Sequence, residues 1–338
     1  MVTDQAAPPR PSSALFAAVP AVVGVLVAFV VAIVQYAGID DGTIKHLHGV
    51  DSFLGLPNVG VSVIFFALFV TWFVGASGGA LYRHGLYVAA IVIASLGTLY
   101  EVVVTIANFS WVSVVLLIAA AVTLIFTILG CRAAVAAGVQ PQVARADRPG
   151  AFGIVLVVAG LGGLLASYNL SVDKVTAILS PSTKLNCSFS ILVSCGDNLK
   201  AWQGSLFGFP NPLIGLGAFA VTLLVGIAIL TGVKYPRWWM IAFNIGVMGA
   251  FAFIVFLQYS SIFVIETLCV WCALVWIVTI PTFWLTTIGN LKNGNFKVGP
   301  RATAFWSSAY SWVAIITLVG YAAIFLLYEV RLNLLARL

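Results

Sequence analysis

The chain has 338 residues, of which 62% are hydrophobic and only 8% are charged. A soluble domain keeps about a quarter of its residues charged, so this composition excludes an ordinary soluble protein and indicates a membrane protein. The net charge of +6 is divided between the two sides of the predicted membrane, and this distribution argues against a nucleic-acid-binding protein.

Nine apolar stretches are each long enough to cross a bilayer, which takes about 20 helical residues. In chain order they cover residues 14–37, 56–76, 85–106, 111–130, 152–166, 212–230, 238–257, 262–285 and 305–327, and the fifth can run on through Leu170. The first stretch is long and lacks a convincing small-residue cleavage site, so we expect a retained span rather than a signal peptide. The fold class predicted is an all-α polytopic membrane protein with about nine transmembrane helices.

The distribution of Lys and Arg predicts the orientation of these spans. With the N-terminus in the cytoplasm, the inner segments carry Arg10, Arg83, Arg132, Arg145, Arg148, Lys234, Arg237, Lys292, Lys297 and Arg301, and the outer segments carry Lys45, Lys174, Lys184, Lys200, Arg331 and Arg337. Basic residues remain on the cytoplasmic side during insertion. We therefore expect a multi-pass protein of the cell membrane whose paired cysteines face the extracytoplasmic side, where disulfides persist.

The chain contains an apparent internal repeat. The segment DSFLGLPN at residues 51–58 matches GSLFGFPN at residues 204–211, and the same offset of 153 superposes the three following spans without a gap. Chance similarity between apolar sequences is the alternative, but the matching order and lengths of the spans favour a duplication. Both copies insert in the same sense, whereas an inverted repeat would have favoured a transporter.

The repeat predicts two four-helix bundles followed by one C-terminal helix. The first half (residues 1–140) is a degenerate copy without the redox thiols, and residues 141–150 form a cytoplasmic linker. The second half (residues 151–290) is the catalytic bundle, and residues 291–338 hold the fifth span of that half and a tail. At the repeat offset, Leu116 and Ala119 stand where the second half has Cys269 and Cys272. The first half therefore cannot carry the chemistry of that pair.

Four of the five cysteines form two close pairs. Cys187 and Cys195 lie in the polar stretch LNCSFSILVSCGD, and Cys269 and Cys272 form a CxxC motif that we expect on one face at the outer end of an apolar helix. A CxxC pair forms an exchangeable disulfide. Thiol–disulfide exchange passes electrons between pairs through mixed disulfides, so a mobile loop pair beside a fixed helix pair is typical of a redox relay.

Other roles for these residues stay open at the level of sequence. Cys187 and Cys195 suit a purely structural disulfide, and the CxxC residues alone suit small core positions. A four-cysteine zinc site is disfavoured because zinc knuckles lie on turns of polar domains, so we predict no metal. We expect no role for Cys131, and solvated rather than metal-binding side chains for His46 and His48.

The order of these elements resembles the vitamin K epoxide reductase (VKOR) family, and in particular its bacterial homologues. The resemblance rests on a span, a C-x7-C loop, the segment FGFPNPLIG, two further spans and a CxxC on the fourth, over roughly residues 152–285, plus a fifth span. It implies that Cys272 faces a quinone, that Cys269 exchanges with Cys195, and that Cys187 meets an external redox partner. It also implies that Asn211 hydrogen-bonds a quinone carbonyl and that Trp202 lies near the site.

The sequence departs from the family in three places. Some family members have a tyrosine four residues after the CxxC, where this chain has Trp276. Many bacterial members carry a fused thioredoxin domain; here only a short stretch follows the ninth span, so we expect a separate partner protein, and the first half lies outside the family pattern. An apolar quinone pocket further requires flat side chains near the CxxC, for which Phe209 and Phe263 are candidates with Trp276. Glu266, three positions before Cys269, either manages protons on the thiols or simply reaches the interface, and we favour the interface.

The function predicted is that of a quinone-dependent thiol oxidase that supports disulfide bond formation. Its co-substrate would be menaquinone or ubiquinone, and its partners would be membrane lipid and a separate extracytoplasmic thioredoxin-fold (DsbA-like) protein. One alternative is a quinone or quinone-epoxide reductase that uses thiols only as the donor. A second alternative, from another class, is a transporter or scaffold with structural disulfides.

Overall fold

The computed structural model describes residues 11–36, 55–77, 86–136, 150–179, 185 and 194–333, without the side chains of residues 11–14. Over these residues the fold is helical, and nine helical segments are long and apolar enough to cross a membrane. The predicted all-α polytopic membrane protein is therefore confirmed.

The helices follow the predicted spans closely in number and order. They are α1 (Pro11–Tyr36), α2 (Asn58–Ala76), α3 (Tyr87–Ala107), α4 (Trp111–Ala136), α5 (Ala151–Leu179), α6 (Cys195–Lys200), α7 (Pro212–Leu230), α8 (Arg237–Ser260), α9 (Val270–Lys292), α10 (Pro300–Ala309) and α11 (Val313–Leu332). Short 3₁₀ turns at Trp202–Ser205 and Tyr310–Trp312 separate α6 from α7 and α10 from α11. The short α6 was not among the predicted elements.

The boundary between α8 and α9 differs from the prediction. The apolar run at 262–285 predicts one helix, but residues Ser261–Ile265 continue α8 as a π-helical turn. Glu266 then takes a left-handed conformation with φ of 59°. A residue in this conformation ends a helix, so α9 starts only at Val270. The helix thus starts eight residues later than the predicted span at 262–285, and Cys269 caps it at the end where the CxxC motif was expected.

The chain divides into two compact units, of which the first combines Met1–Val157 with Leu216–Pro236. In this unit α2 is mostly buried and packs against α1, while α3 and α1 both pack against α4. Most of α7 also belongs here, since an added Cβ at Gly217 would lie 3.0 Å from a methyl group of Val63. Close packing of this kind replaces water-driven burial within lipid.

Gly226 shows how closely α7 approaches the start of α5 in the same unit. An added Cβ at this position would lie 2.8 Å from the backbone nitrogen of Val157 and 2.9 Å from the Cβ of Leu156. No larger residue fits without moving one of the two backbones. The two compact units are thus defined by packing contacts. The predicted domain boundaries are defined by the sequence repeat instead, and both the repeat and those boundaries stay predictions.

A buried polar cluster joins α2 to α3 in the first unit. Ser62 donates a hydrogen bond of 2.6 Å to the carboxyl group of Glu101, which is only 1% exposed. The hydroxyl group of Tyr100 donates to the amide oxygen of Asn58 over 2.7 Å. Hydrogen bonds between helices of this kind hold spans together where lipid surrounds the bundle.

The second unit combines Val158–Gly215 with Arg237–Leu338. Here α9 packs against α8, α10 and α11, and the π-helical turn contacts both α6 and α11. At the end of α9 farthest from the CxxC motif, Asn290 donates to the side chain of Asn244 and accepts from Asn295. This amide network holds the start of α8 against the end of α9.

Candidate functional site: the sulfur cluster

The three described paired cysteines meet at the ends of α6 and α9. The sulfur atoms of Cys195 and Cys269 are 3.1 Å apart, about 1 Å longer than a disulfide bond. Both residues are completely buried, and Cys272 packs beside them. Cys195 is disulfide-bonded, whereas Cys269 and Cys272 are free thiols. Cys187, the other predicted site cysteine, lies outside the described residues.

Cys269 is the N-cap of α9. Its backbone is extended, with φ of −94° and ψ of 120°, and its sulfur accepts a hydrogen bond of 3.3 Å from the backbone N–H of Cys272. In most proteins a Ser, Thr or Asp oxygen takes this role. The positive end of a helix favours negative charge. The position therefore suits a sulfur that gains negative charge when a disulfide opens.

The sulfur atoms lie in an apolar environment. Leu170 of α5, Leu185 and Leu199 surround Cys195 and Cys269, and the ring of Trp271 packs against the group. Such a lining keeps water from the sulfur atoms. It also provides the kind of surface that a quinone head group needs.

Lys174 and Gly204 hold α6 in place. The buried ammonium group of Lys174, on α5, donates a hydrogen bond to the backbone carbonyl of Leu199 near the end of α6. An added Cβ at Gly204 would lie only 2.7 Å from the carbonyl oxygen of Asn198. The absence of a side chain at Gly204 thus lets the following turn pack directly on α6.

Residues 266–269, here called the strap, connect the π-helical turn to α9 and carry Cys269. The side chain of Asn198, on α6, donates a 2.7 Å hydrogen bond to the hydroxyl oxygen of Thr267. The hydroxyl group of Ser261 donates to the backbone carbonyl of Thr267. One residue of the strap is therefore bound both to the helix that carries Cys195 and to the turn that precedes the strap.

Glu266 lies on the outer side of the strap. Its carboxyl group forms a 2.7 Å ion pair with Arg331 of α11, and both side chains are about half exposed. This arrangement agrees with the interfacial position favoured for Glu266 over a role in moving protons.

Asn211 is engaged by the turn that follows α6. Its side-chain N–H donates to the carbonyl of Gln203 over 2.6 Å, and its oxygen accepts from the backbone N–H of Leu206 over 3.0 Å. The family resemblance implies a quinone contact for this residue. In the structure the Asn211 side chain shapes the 3₁₀ turn. One of its amide hydrogens is left for other partners, and the quinone contact stays a prediction.

The four aromatic candidates contact different rings. Trp202 is 60% exposed and contacts the ring of Phe256. Phe209 is buried beside Phe207, and the half-exposed Phe263 contacts Tyr259. These contacts do not gather the rings into one wall, so each quinone assignment stays a prediction.

Trp276 belongs to a buried cluster of side chains next to the CxxC motif. Its indole is 4% exposed and stacks on the ring of Tyr328 from α11, with centroids 6.1 Å apart. Cys272 packs against the same cluster of buried side chains. A second aromatic ring from the last span thus accompanies Trp276 beside the CxxC motif.

Sequence reasoning missed the residues that hold the strap and α6. They are Lys174, Asn198, Ser261, Thr267, Tyr328 and Arg331, none of which belongs to a recognisable motif. The available signal was positional, because Tyr328 and Arg331 stand at the end of a span that is predicted to return to the same side as the paired cysteines. Within the parts of the chain that the structure describes, no three His, Cys, Asp or Glu side chains are grouped as metal ligands.

A comparison with protein families matches residues 154–287 to the model described as the vitamin K epoxide reductase family. The matched residues run from α5 into α9 and contain the four paired cysteines, the strap and Asn211. No curated protein and no solved structure matches the chain.

Proposed function

We propose a specific electron path for this chain. Through residues 154–287 the chain belongs to the vitamin K epoxide reductase family, whose members use quinone as electron acceptor. It is therefore a multi-pass membrane oxidoreductase. In this proposal the protein oxidises thiols of an extracytoplasmic thioredoxin-fold protein and reduces a membrane quinone. Its activity would supply disulfide bonds to secreted proteins.

The observation that carries the proposal is the 3.1 Å contact between the sulfur atoms of Cys195 and Cys269. A structural disulfide has no need of a third sulfur atom at this distance. Disulfide exchange does need one, because a thiolate must approach a disulfide sulfur directly. Complete burial of both residues also protects the exchange from competing thiols.

The path begins with the external dithiol. A thiolate of the donor attacks Cys187 in the Cys187–Cys195 disulfide and forms a mixed disulfide, which the donor's second thiol resolves. The donor leaves oxidised, and both loop cysteines are left reduced. Two electrons and two protons have then entered the protein.

The loop pair next reduces the helix pair. The Cys195 thiolate attacks Cys269 in the Cys269–Cys272 disulfide, so a Cys195–Cys269 bond forms and Cys272 leaves as a thiolate. Cys187 then attacks Cys195, which restores the loop disulfide and releases Cys269. An oxidised Cys195 beside two free helix thiols is the state in the structure, and it corresponds to the end of this step.

The last step passes the electrons to quinone. The Cys272 thiolate attacks the quinone ring, and Cys269 then attacks the Cys272 sulfur, so the helix disulfide closes. Both electrons leave on the quinone, which takes up two protons and becomes the hydroquinone. The apolar lining of Trp271 and Trp276 suits a quinone that arrives from the bilayer.

The direct test is quinone reduction by purified protein in detergent. We expect turnover with dithiothreitol and with a reduced thioredoxin-fold protein, measured with menaquinone and ubiquinone analogues in parallel. Cys131→Ala is the matched control, because this buried cysteine lies outside the sulfur cluster and its loss leaves turnover unchanged. No reduction of any quinone would contradict the proposal and favour a transporter or scaffold.

The same assay separates the proposal from quinone-epoxide reduction. Turnover of a quinone epoxide at a rate above that of the quinone would indicate the alternative reductase. Turnover of the quinone without turnover of the epoxide would support the thiol oxidase.

The role of Cys187 needs its own variant. We expect Cys187→Ala to block oxidation of the thioredoxin-fold protein while sparing the reaction with dithiothreitol, since a small dithiol can attack the helix pair at Cys272, which is only partly buried. Mass spectrometry of alkylated protein would locate the donor adduct on Cys187. Equal losses with both donors would count against a separate docking cysteine.

A further inference from the structure

The last two turns of α11 contact the strap and the turn before it. The hydroxyl group of Tyr328 donates a 2.8 Å hydrogen bond to the side-chain oxygen of Ser261, and Ser261 in turn donates to the carbonyl of Thr267. Thr267 stands two residues before Cys269 in the chain. A continuous chain of hydrogen bonds therefore runs from the last span to the strap that carries the exchanging sulfur.

The ring of Tyr328 makes a second contact with the site. It is 2% exposed and stacks at 26° on Trp276, which lies one helical turn beyond Cys272. Cys272 packs against the cluster that these two rings form with Ile254, Ile262, Ile280 and Leu332. One side chain of α11 thus contacts elements on both sides of the CxxC motif.

The ion pair between Arg331 and Glu266 lies one turn farther along α11. Both side chains are about half exposed, and exposed ion pairs contribute little to stability. The buried hydroxyl group of Tyr328 is therefore the stronger of the two connections, because an unsatisfied polar group there would be costly.

We infer that Tyr328 is a positioning residue for disulfide exchange, which holds the strap so that the Cys269 sulfur meets Cys195. This inference rests on the proposed function, since it concerns the same sulfur atoms. Cys269 must change partners between Cys195 and Cys272, so its backbone has to stay fixed while its sulfur bonds change. Thr267 is bound on one side by Asn198 of α6 and on the other by Ser261, and Tyr328 fixes the Ser261 hydroxyl in its donating orientation.

The test compares two tyrosine-to-phenylalanine variants on the same helix. Tyr328→Phe removes the hydroxyl group and keeps the stacked ring. Tyr321→Phe is the matched control, because its hydroxyl donates a 2.5 Å hydrogen bond to the carbonyl of Ile277, two turns from Tyr328. We expect Tyr328→Phe to lower kcat for quinone reduction roughly threefold to tenfold, with an unchanged KM for quinone. Tyr321→Phe should keep the wild-type kcat, although both variants lower the unfolding midpoint.

A second measurement observes the exchange itself. In a Cys272→Ser background, the Cys269 thiolate attacks Cys195 in the Cys187–Cys195 disulfide, so a Cys195–Cys269 bond forms and Cys187 leaves as a thiolate. Alkylation of the released Cys187 prevents its return, and mass spectrometry then gives the rate at which the mixed disulfide forms. Tyr328→Phe and Ser261→Ala should each slow this rate to a similar extent, and Tyr321→Phe should not. The readout does not depend on quinone turnover.

The possible results separate the inference from the proposed function. Wild-type rates of mixed-disulfide formation in Tyr328→Phe would overturn the inference, while quinone reduction by the unaltered protein would still support the function. A raised KM for quinone at unchanged kcat would also overturn it, because that result assigns Tyr328 to substrate contact. Absence of quinone reduction in the unaltered protein would contradict the function, and the exchange rates would still decide the role of Tyr328.

Discussion

The two halves of the predicted repeat differ in how the fourth span of each half begins. In the first half, α3 ends at Ala107 and α4 begins at Trp111, with Ser110 capping it through a 3.1 Å hydrogen bond from the N–H of Ser113. At the offset of 153, Ser110 corresponds to position 263. In the second half the helix instead begins at Val270, and the cap is Cys269. The cap has moved six residues along the chain.

The two halves differ in where the helix starts relative to the CxxC positions. Leu116 and Ala119, which correspond to the CxxC cysteines, lie inside the uninterrupted helix α4. In the second half the π-helical turn and the left-handed Glu266 delay the helix start until the first cysteine stands at the cap. The thiol chemistry that we propose would therefore depend on where the helix begins as well as on the presence of cysteine.

The asparagines of the repeated Pro-Asn element show a parallel difference. Asn58 accepts from Tyr100 and so joins two spans, whereas Asn211 binds the backbone of the turn after α6. Position 253, which corresponds to Tyr100, is a phenylalanine without a hydroxyl group. The first half uses its asparagine between helices, and the second half uses it to shape the turn next to the cysteine loop.

The largest effect is expected from giving the second half the residue of the first. Cys272→Ala, which copies Ala119, should reduce quinone turnover to background because it removes the thiolate that attacks the quinone. Stopped-flow quinone absorbance and a disulfide map would measure it. The reciprocal double variant, Leu116→Cys with Ala119→Cys, should add no activity, since those positions lie within a helix. Activity from that variant would show that the CxxC motif does not need to stand at the start of a helix.

The second prediction separates capping from redox chemistry. Cys269→Ser keeps an acceptor at the cap and should retain thermal stability while losing all turnover. Ser110→Ala in the first half should do the reverse, lowering stability by about 1 kcal/mol with turnover unchanged. Thermal unfolding and quinone assays on both variants would show this, and a large loss of stability in Cys269→Ser would mean that the serine does not replace the sulfur as a cap.

The two asparagines provide a third comparison. Asn211→Ala leaves the backbone groups of Gln203 and Leu206 without their partner, so we expect a loss of about 1–3 kcal/mol and slower oxidation of a protein donor. Asn58→Ala should lower stability by a similar amount and leave turnover unchanged. Paired measurements of unfolding and donor oxidation would check both, and identical activity losses would show that the asparagines have the same role.

The smallest effect concerns the left-handed residue of the strap. A left-handed conformation costs a residue with a side chain about 1–2 kcal/mol, a cost that glycine avoids. Glu266→Gly should therefore be more stable than Glu266→Ala by about 1 kcal/mol, since both lose the ion pair with Arg331. Thermal unfolding of the two variants checks this, and equal midpoints would mean that the strap relaxes.

The sequence was sufficient for the number of spans and for the family, because apolar length and the spacing of cysteines and of the Pro-Asn element are local properties. It was insufficient for the strap. The run at 262–285 reads as one apolar helix, and nothing local marks Glu266 as left-handed, since that conformation is stabilised by contacts from α6 and α11. Tyr328 was missed for the same reason, as it lies 56 residues after Cys272 and reaches the site only through tertiary packing. The direction of the Asn211 side chain likewise depends on the turn it binds.

The close packing of α7 in the first unit bears on how the protein is made. α7 lies near Val63 of α2 at Gly217 and near the start of α5 at Gly226. A chain is synthesised from its N-terminus, so α1–α4 leave the ribosome before α7 does. The packing partners of α7 are therefore present in the chain before α7 itself is made. We expect a first half without redox thiols to assist the insertion of α7, the helix that follows the cysteine loop.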